Sequence, residues 1–156
     1  MIEIKLTKGM VAIIDDAQKH LSHFKWCASK CGSSFYAVRR VNSKKVYLHK
    51  EIKASEKHQV IDHINGNTLD NRADNLRICT RKQNNFNKVS KISKLLKTKG
   101  TYFNKKNKNY NASINFNGKK INLGTYKCET AAAVAYNLKA KELFGEYACL
   151  NFSGRF

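Results

Sequence analysis

The chain contains no proline, so it has none of the proline-rich tracts that form stiff linkers or extended recognition segments. It has no long apolar run either. The longest, Ala131 to Tyr136, is far short of the roughly 18 residues that a membrane span needs. The opening Met-Ile-Glu-Ile-Lys lacks a cationic flank followed by an apolar stretch. A secretory signal is therefore not expected, and the protein is expected to be intracellular and cytoplasmic rather than secreted or membrane-bound. Paired cysteines are missing too: the five are odd in number, which argues against a disulfide framework. Cys27 and Cys31 have a three-residue gap and no Cys-x-x-Cys partner follows, so the cysteines read as free buried thiols rather than a zinc site. No segment repeats another. At 156 residues the chain has room for one good core or for two small modules with a linker.

Acid is scarce, and in one stretch it is absent. Lys and Arg total 30 against 11 Asp and Glu, for a net charge of +19. Such an excess points to a polyanion, most often nucleic acid. Lys outnumbers Arg 24 to 6 and Asn is abundant, a bias that AT-rich coding DNA also produces, so distribution says more than total. Residues 91–128 hold 10 bases and no acid, whereas residues 129–156 hold 3 of each. Uniform drift does not give that contrast, and the acid-free stretch is expected to face phosphates.

Hydrophobic patterning gives an α+β chain. Residues 2–6, 10–14, Phe24 to Ala28, Phe35 to Arg39 and Val46 to Leu48 read as short strands. Short helices are expected from Asp15 to Leu21 and from His49 to Ile52. Val60-Ile61 leads as a strand into Asp62-His63. The turn-forming Asn65-Gly66-Asn67 and a polar loop follow, then a strand at Leu76 to Cys79 and a helix from Arg81 to Asn87 capped by Thr80. Residues 89–99 read as a basic, solvated linker, with a connector along the DNA backbone as the alternative. Beyond Gly100, Thr101 to Phe103, Asn111 to Phe116 and Lys119 to Leu123 read as strands, with a hairpin at Asn117-Gly118. An Ala-rich helix from Glu129 to Phe144 stops at Gly145. Ala132, Ala135, Tyr136, Leu138, Ala140 and Phe144 are expected to be its apolar face, and Leu123, Tyr126, Leu143 and Phe152 to join that core.

The strand–loop–strand–helix segment carries the chemistry. Asp62 offers an anionic oxygen suited to a hard divalent cation, and Asn84 a neutral amide oxygen. His63 can act as a base near neutral pH. Neighbours on a strand point to opposite faces, so Asp62 and His63 serve one site only if the strand end distorts or each serves a different edge. Asn75 can pin the loop through its side chain. His49 has two equal readings, phosphate contact or helix capping.

These residues resemble the HNH, or ββα-metal, nuclease family. The resemblance is carried by Val60-Ile61-Asp62-His63-Ile64-Asn65-Gly66-Asn67-Thr68-Leu69-Asp70-Asn71-Arg72, by Asp74-Asn75-Leu76-Arg77 and by Gln83-Asn84-Asn85. Asn75 lies twelve residues beyond His63, as the middle Asn does in that family, and Asn84 lies twenty-one beyond it on the helix, where the phage homing-type branch has Asn. Leu6-Thr7-Lys8-Gly9 and Lys25-Trp26-Cys27 resemble the leader of that group. The resemblance implies a nuclease domain over 1–88, with its ββα-metal motif at about 58–88. Asp62 and Asn84 would hold Mg²⁺ or Mn²⁺, His63 would be the general base, and Asn75 would orient the loop. The substrate would be double-stranded DNA and no small-molecule cofactor would be needed. A monomer would nick, and a homodimer could cut both strands.

Residues 100–156 resemble the plant Apetala or ethylene-response-factor DNA-binding domain. Tyr110-Asn111-Ala112-Ser113-Ile114, Leu123-Gly124-Thr125-Tyr126, Glu129-Thr130-Ala131-Ala132, Ala135-Tyr136 and Leu150-Asn151-Phe152 carry it. The resemblance implies a three-stranded antiparallel sheet in the major groove with one helix behind it. Tyr102, Asn104, Lys105, Lys106, Ser113, Asn115, Lys119, Lys120 and Asn122 would face DNA, with Arg77 contributing from the first domain. Asn and Lys stand where the plant domains use Arg and Trp, which implies a different sequence preference. A DNA-binding regulator on an inactive nuclease fold is the rival reading, and an RNA-binding protein a third.

Overall fold

The computed structural model describes residues 1–88 and 98–152; most of the expected linker at 89–99 lies outside the described residues. It is a mixed α/β fold of small antiparallel sheets and a few helices, in two compact units, Met1–Asn84 and Asn85–Phe156.

In the first unit β1 (Ile2–Lys5) pairs antiparallel with β2 (Val11–Ile14), joined through a short 3-10 turn at Thr7–Gly9. Alternation buries Ile4, Ala12 and Ile14 and leaves Glu3 and Lys5 in solvent. The helix expected from Asp15 is a 3-10 segment, Asp16–His23. The strand expected from Phe24 begins three residues later, as β3 (Cys27–Cys31). The cause is Trp26: its ring is buried and its indole N–H donates to the Leu21 carbonyl at 2.8 Å, which ties this stretch back to the preceding turn. A three-stranded antiparallel sheet then forms in the order β3, β4 (Ser34–Val41), β5 (Lys44–Tyr47), followed by α1 (Leu48–Ile52). Ala28 and Ala37 turn one face of that sheet onto the core, with Trp26, Leu21 and Leu48.

β6 (Gln59–His63) and β7 (Leu76–Thr80) form a separate antiparallel pair. α2 (Arg81–Asn87) starts at a reciprocal cap. The Thr80 hydroxyl accepts from the Gln83 N–H at 3.2 Å, and the Gln83 side chain accepts from the Thr80 N–H at 2.8 Å.

In the second unit β8 (Thr101–Asn104), β9 (Asn109–Phe116) and β10 (Lys119–Tyr126) form an antiparallel sheet with β9 in the centre. α3 (Glu129–Phe144) covers one face of it, and Tyr136, Ala140 and Phe144 pack on Ile114. The small Ala132, Ala133 and Ala140 are fully buried, which brings helix and sheet close together. Gly100, at φ +79°, is required: a Cβ there would sit 1.9 Å from the Tyr136 ring. Asn151 closes the unit. Its amide accepts from the Lys99 N–H at 2.7 Å and donates to the Lys99 carbonyl at 3.1 Å, while the Asn137 amide brackets the Asn151 backbone.

Three sequence expectations about the core are corrected. Leu138 is 69% exposed, because the buried stripe runs through 132, 133, 136, 140 and 144 and position 138 falls outside it. Phe152 is 59% exposed, because the backbone turns to φ +65° after the Asn151 latch. Cys79 and Cys149 are buried, but Cys27, Cys31 and Cys128 are exposed. Cys27 and Cys31 stand on the sheet face away from the core, and the Cys128 sulfur caps α3 by accepting from the Ala131 N–H. Among the described residues no helix is long and apolar enough to cross a membrane.

Candidate active site

β6 delivers the two chemical residues. Asp62 lies opposite Arg77 and His63 opposite Leu76 in the antiparallel register. The period of two sends their side chains to opposite faces, so Val60, Asp62, Arg77 and Cys79 share one face and His63 stands on the other. β6 keeps its register to its last residue, His63, so the two side chains can serve one site only from different edges of the strand end.

On the first face the Asp62 carboxylate is buried and carries the Arg77 guanidinium, with Nε at 3.0 Å and Nη2 at 2.8 Å from Oδ2. Arg77, expected to contact DNA, has its side chain largely buried against this carboxylate instead. The Asn84 N–H reaches the Cys79 thiol, which brings Asn84 to the face that holds Asp62. Burial pushes the Cys79 thiol up from its ordinary range, the charge of Asp62 adds to that, and Arg77 and the Asn84 N–H oppose it. By type, Asp62 carries a carboxylate and Asn84 an amide oxygen, hard donors of the kind Mg²⁺ or Mn²⁺ takes. Among the described residues no group of three His, Cys, Asp or Glu is arranged to hold a metal. The cation that the structure places on the Asp62 carboxylate is the Arg77 guanidinium.

On the opposite face His63 is buried among aromatic rings. Its ring lies 5.3 Å from His49 and 6.2 Å from Tyr36, centroid to centroid. His49 in turn lies 5.6 Å from Tyr36 and 5.5 Å from Tyr47. So His49 neither caps a helix nor reaches solvent; it packs beside His63. Burial lowers the His63 pKa, opposed by the hydrogen bond that the ring donates to Asn71 and by the charges of Asp62 and Asp70. His49 is pushed down to about 4, by burial first and then by His63 and Lys50. Near pH 7 the His63 imidazole is therefore neutral, the form a general base requires.

Asn71 lies in the motif but has no role assigned from the sequence. It is 1% exposed, and its Oδ1 lies 3.4 Å from His63 Nε2. Its Nδ2 donates to the Leu69 carbonyl at 2.9 Å, so the amide oxygen is the atom turned toward His63. In the neutral ring the proton then sits on Nε2 and the lone pair on Nδ1. The available signal was a run of polar residues between two short strands. A loop of that kind buries amides only if each finds an internal partner.

Asn75 closes the loop from both sides. Its Oδ1 accepts from the Asn65 N–H at 2.9 Å, its Nδ2 donates to the Asp70 carbonyl at 2.7 Å, and its own carbonyl accepts from the Ile64 N–H at 2.8 Å. Asp70, also buried, holds Arg72 through Nε at 2.8 Å and Nη2 at 2.7 Å, and the Arg72 hydrogen bonds keep its carboxyl below the usual range. The loop hangs on β2. Ile13 donates to the Leu69 carbonyl and accepts from the Asn71 N–H, each at 2.8 Å. The backbone on either side of Asp70 is thus fixed by the core of the unit.

The second unit arranges the other expected residues. Alternation and register place Tyr102, Asn104, Ser113, Asn115, Lys120 and Asn122 on one sheet face, opposite the face that Ala112 and Ile114 turn toward α3. Tyr102 is 65% exposed. Lys105 and Lys106 lie in the exposed β8–β9 turn. Lys119 has the opposite parity, at the exposed hairpin end beside Asn117-Gly118. Two Asn side chains are partly engaged: Asn104 accepts from the Lys106 N–H at 3.0 Å and Asn122 from the Gly124 N–H at 3.1 Å.

Known proteins share this sequence pattern. Residues 54–86 match the family model described as HNH endonuclease, a span that holds Asp62, His63, Asn75 and Asn84. An HNH endonuclease of Acanthamoeba polyphaga mimivirus, itself uncharacterized, is 36% identical over 151 residues, covering 92% of this chain and 76% of that protein. Protein 3.8 of Escherichia phage T7 is 31% identical over 88 residues, covering 56% of this chain and 72% of that protein.

Proposed function

Because the chain belongs to the HNH endonuclease family, we propose that it is a metal-dependent endonuclease of the homing type, which hydrolyses a phosphodiester bond in duplex DNA and uses its second unit to bind that DNA. The observation that carries this reading is the junction of β6 with its loop. There a buried Asp62 and a buried His63 are adjacent, and Asn75 hydrogen-bonds the backbone on both sides of the loop that follows.

Asp62 and Asn84 would hold a divalent cation, which when bound supplies a Lewis acid for the phosphate and the leaving 3′ oxygen. His63 takes the proton of the attacking water on Nδ1, with Asn71 holding the Nε2 proton. Water attack at phosphorus with loss of the 3′ oxygen leaves 5′-phosphate and 3′-hydroxyl ends. Arg77 compensates Asp62, so a buried carboxylate persists at modest cost. Asn75 works through the backbone around His63 and does not touch the reacting atoms. One unit has one site, so a single copy nicks and two copies cut both strands.

In the second unit the exposed sheet face would sit in the major groove, with Tyr102, Ser113, Asn115 and Asn122 at base edges and Lys105, Lys106, Lys119 and Lys120 at phosphates. The layout resembles an Apetala-type module, and the absence of acid from 91–128 supports it.

The test is nicking of supercoiled plasmid with Mg²⁺, with Mn²⁺ and with chelator. Open-circle product that forms with metal and not with chelator is expected. Binding without metal-dependent nicking would instead mean a regulator on a nuclease fold.

A further inference from the structure

We infer that the three-stranded sheet of the first unit carries its own docking face for the phosphate backbone of the DNA strand that reaches His63. This deepens the nuclease reading and rests on it.

The sheet has two unlike faces. Through Ala28 and Ala37 one is buried in the core. Register puts Ser29 with Tyr36, Val38 with Tyr47, and Arg40 with Lys45 on the other. The charged side chains of that second face are Arg40 and Lys45, and α1 adds Lys50 beside them; all three are exposed. Among the described residues no Asp or Glu of the sheet itself lies on that face. Glu51, the acid of α1, turns to Arg39 on the core side at 2.8 Å. Among the described residues Arg40, Lys45 and Lys50 form no ion pair, whereas Arg39, Arg72 and Arg77 each hold a carboxylate.

The cations are also placed. Lys45 Nζ lies 5.4 Å from the centre of the Tyr47 ring and Lys50 Nζ 5.7 Å from the same ring. Lys45 is held further by the Ser29 hydroxyl at 2.7 Å. From Tyr47 the rings continue inward to His49 at 5.5 Å and to His63 at another 5.3 Å. A basic and aromatic strip therefore runs from solvent to the proposed base. Ammonium groups beside a half-exposed ring suit a nucleic-acid strand, with phosphates meeting the cations and the sugar or base edge meeting the ring. The strip would hold the phosphates that flank the one being cut. The second unit would choose the DNA, and this face would seat the strand.

The experiment uses the full chain carrying K45Q and K50Q together, with K5Q and K19Q together as an equal charge loss elsewhere on the same unit. Duplex binding is measured by fluorescence anisotropy over a salt series in chelator. In parallel, plasmid nicking with Mg²⁺ gives kcat and KM. The K45Q/K50Q protein should lose about two from the slope of log affinity against log salt, near one per phosphate contact. Its kcat/KM should fall about tenfold, mainly through KM. A slope that changes no more than in the control pair overturns the docking face, as it would if the strip served an acidic protein. A wild-type protein that binds DNA but does not nick would remove the nuclease reading, while the slopes still decide whether the strip contacts DNA.

Discussion

The two units place their polar residues in opposite ways. The first buries them: Asp62, His63, Asp70, Asn71 and Asn75 are all inside, each with hydrogen-bonding partners, and His49 is packed among rings. The second exposes them: its sheet turns Asn, Ser, Tyr and Lys outward, and Asn151 is buried as a clasp between Lys99 and Asn137. The contrast suits the two tasks proposed for the units. Breaking a phosphodiester bond needs a few groups fixed in protonation state and orientation, which burial and hydrogen bonding supply. Binding a long polyanion needs many modest contacts on an open face, where burial would hide them.

The comparison breaks most sharply at His63. The His63→Ala variant should lose cleavage by about 10²- to 10⁴-fold, the range for removing a general base, while duplex affinity stays within about twofold. Single-turnover nicking and anisotropy on the same preparation test this. If the variant cuts at the wild-type rate, His63 is not the base. If binding falls with cutting, the division of labour between the units is wrong.

The matching change in the second unit is smaller. Neutralising Lys105, Lys106, Lys119 and Lys120 to Gln should reduce the salt slope by about three to four and weaken binding roughly ten- to a hundredfold near 0.1 M salt. At saturating DNA kcat should move much less. Lys119 sharpens the point, since its parity differs from that of Lys120. Restoring Lys119 alone should recover less affinity than restoring Lys120 alone, if the face opposite α3 is the one that meets DNA. An unchanged salt slope in the fourfold variant would show that the sheet is not the DNA face.

Much of this was legible in the sequence because short-range rules dominate where it was. Alternation marked β1 and β2, the Thr80 and Gln83 pair marked the start of α2, and Gly145 marked the end of α3. Asp62, His63, Asn75 and Asn84 were picked out by their resemblance to the HNH motif, and residues 54–86, which hold all four, match that family. The structure puts Asp62 and Arg77 together on one face, with the Asn84 backbone N–H at the Cys79 thiol of that face, and His63 on the other. What escaped depends on contacts between distant segments. Asn71 is held by Ile13 of β2 and points at His63, which no local pattern encodes. The His49–His63–Tyr36 cluster joins three separate elements. Phe152 looks like core by type, yet the Asn151 clasp uses the backbone there and turns the ring outward. Arg77, expected at the DNA, is paired across the strands with Asp62, which no local pattern encodes.

The smallest expected effect also separates the units, because all five histidines lie in the first and none in the second. His49 titrates near 4 in the folded protein, against about 6.5 when unfolded. Above pH 6.5 the ring is neutral in both states and costs nothing. As pH falls below 6.5 the unfolded chain takes up a proton that the folded chain refuses, so stability drops until about pH 4 and then levels off. The loss between pH 7 and pH 5.5 is about 1 kcal/mol, and His63, also lowered by burial, adds in the same direction. Urea titrations at the two pH values should show this in a probe of the first unit, Trp26 fluorescence, which reports from its buried core. His49→Gln removes the titrating group and should flatten the pH dependence by roughly the His49 share. An unchanged dependence in that variant would mean that the ring is hydrated in solution, and the aromatic wall around His63 would then be looser than the packing of Tyr36, Tyr47 and His49 implies.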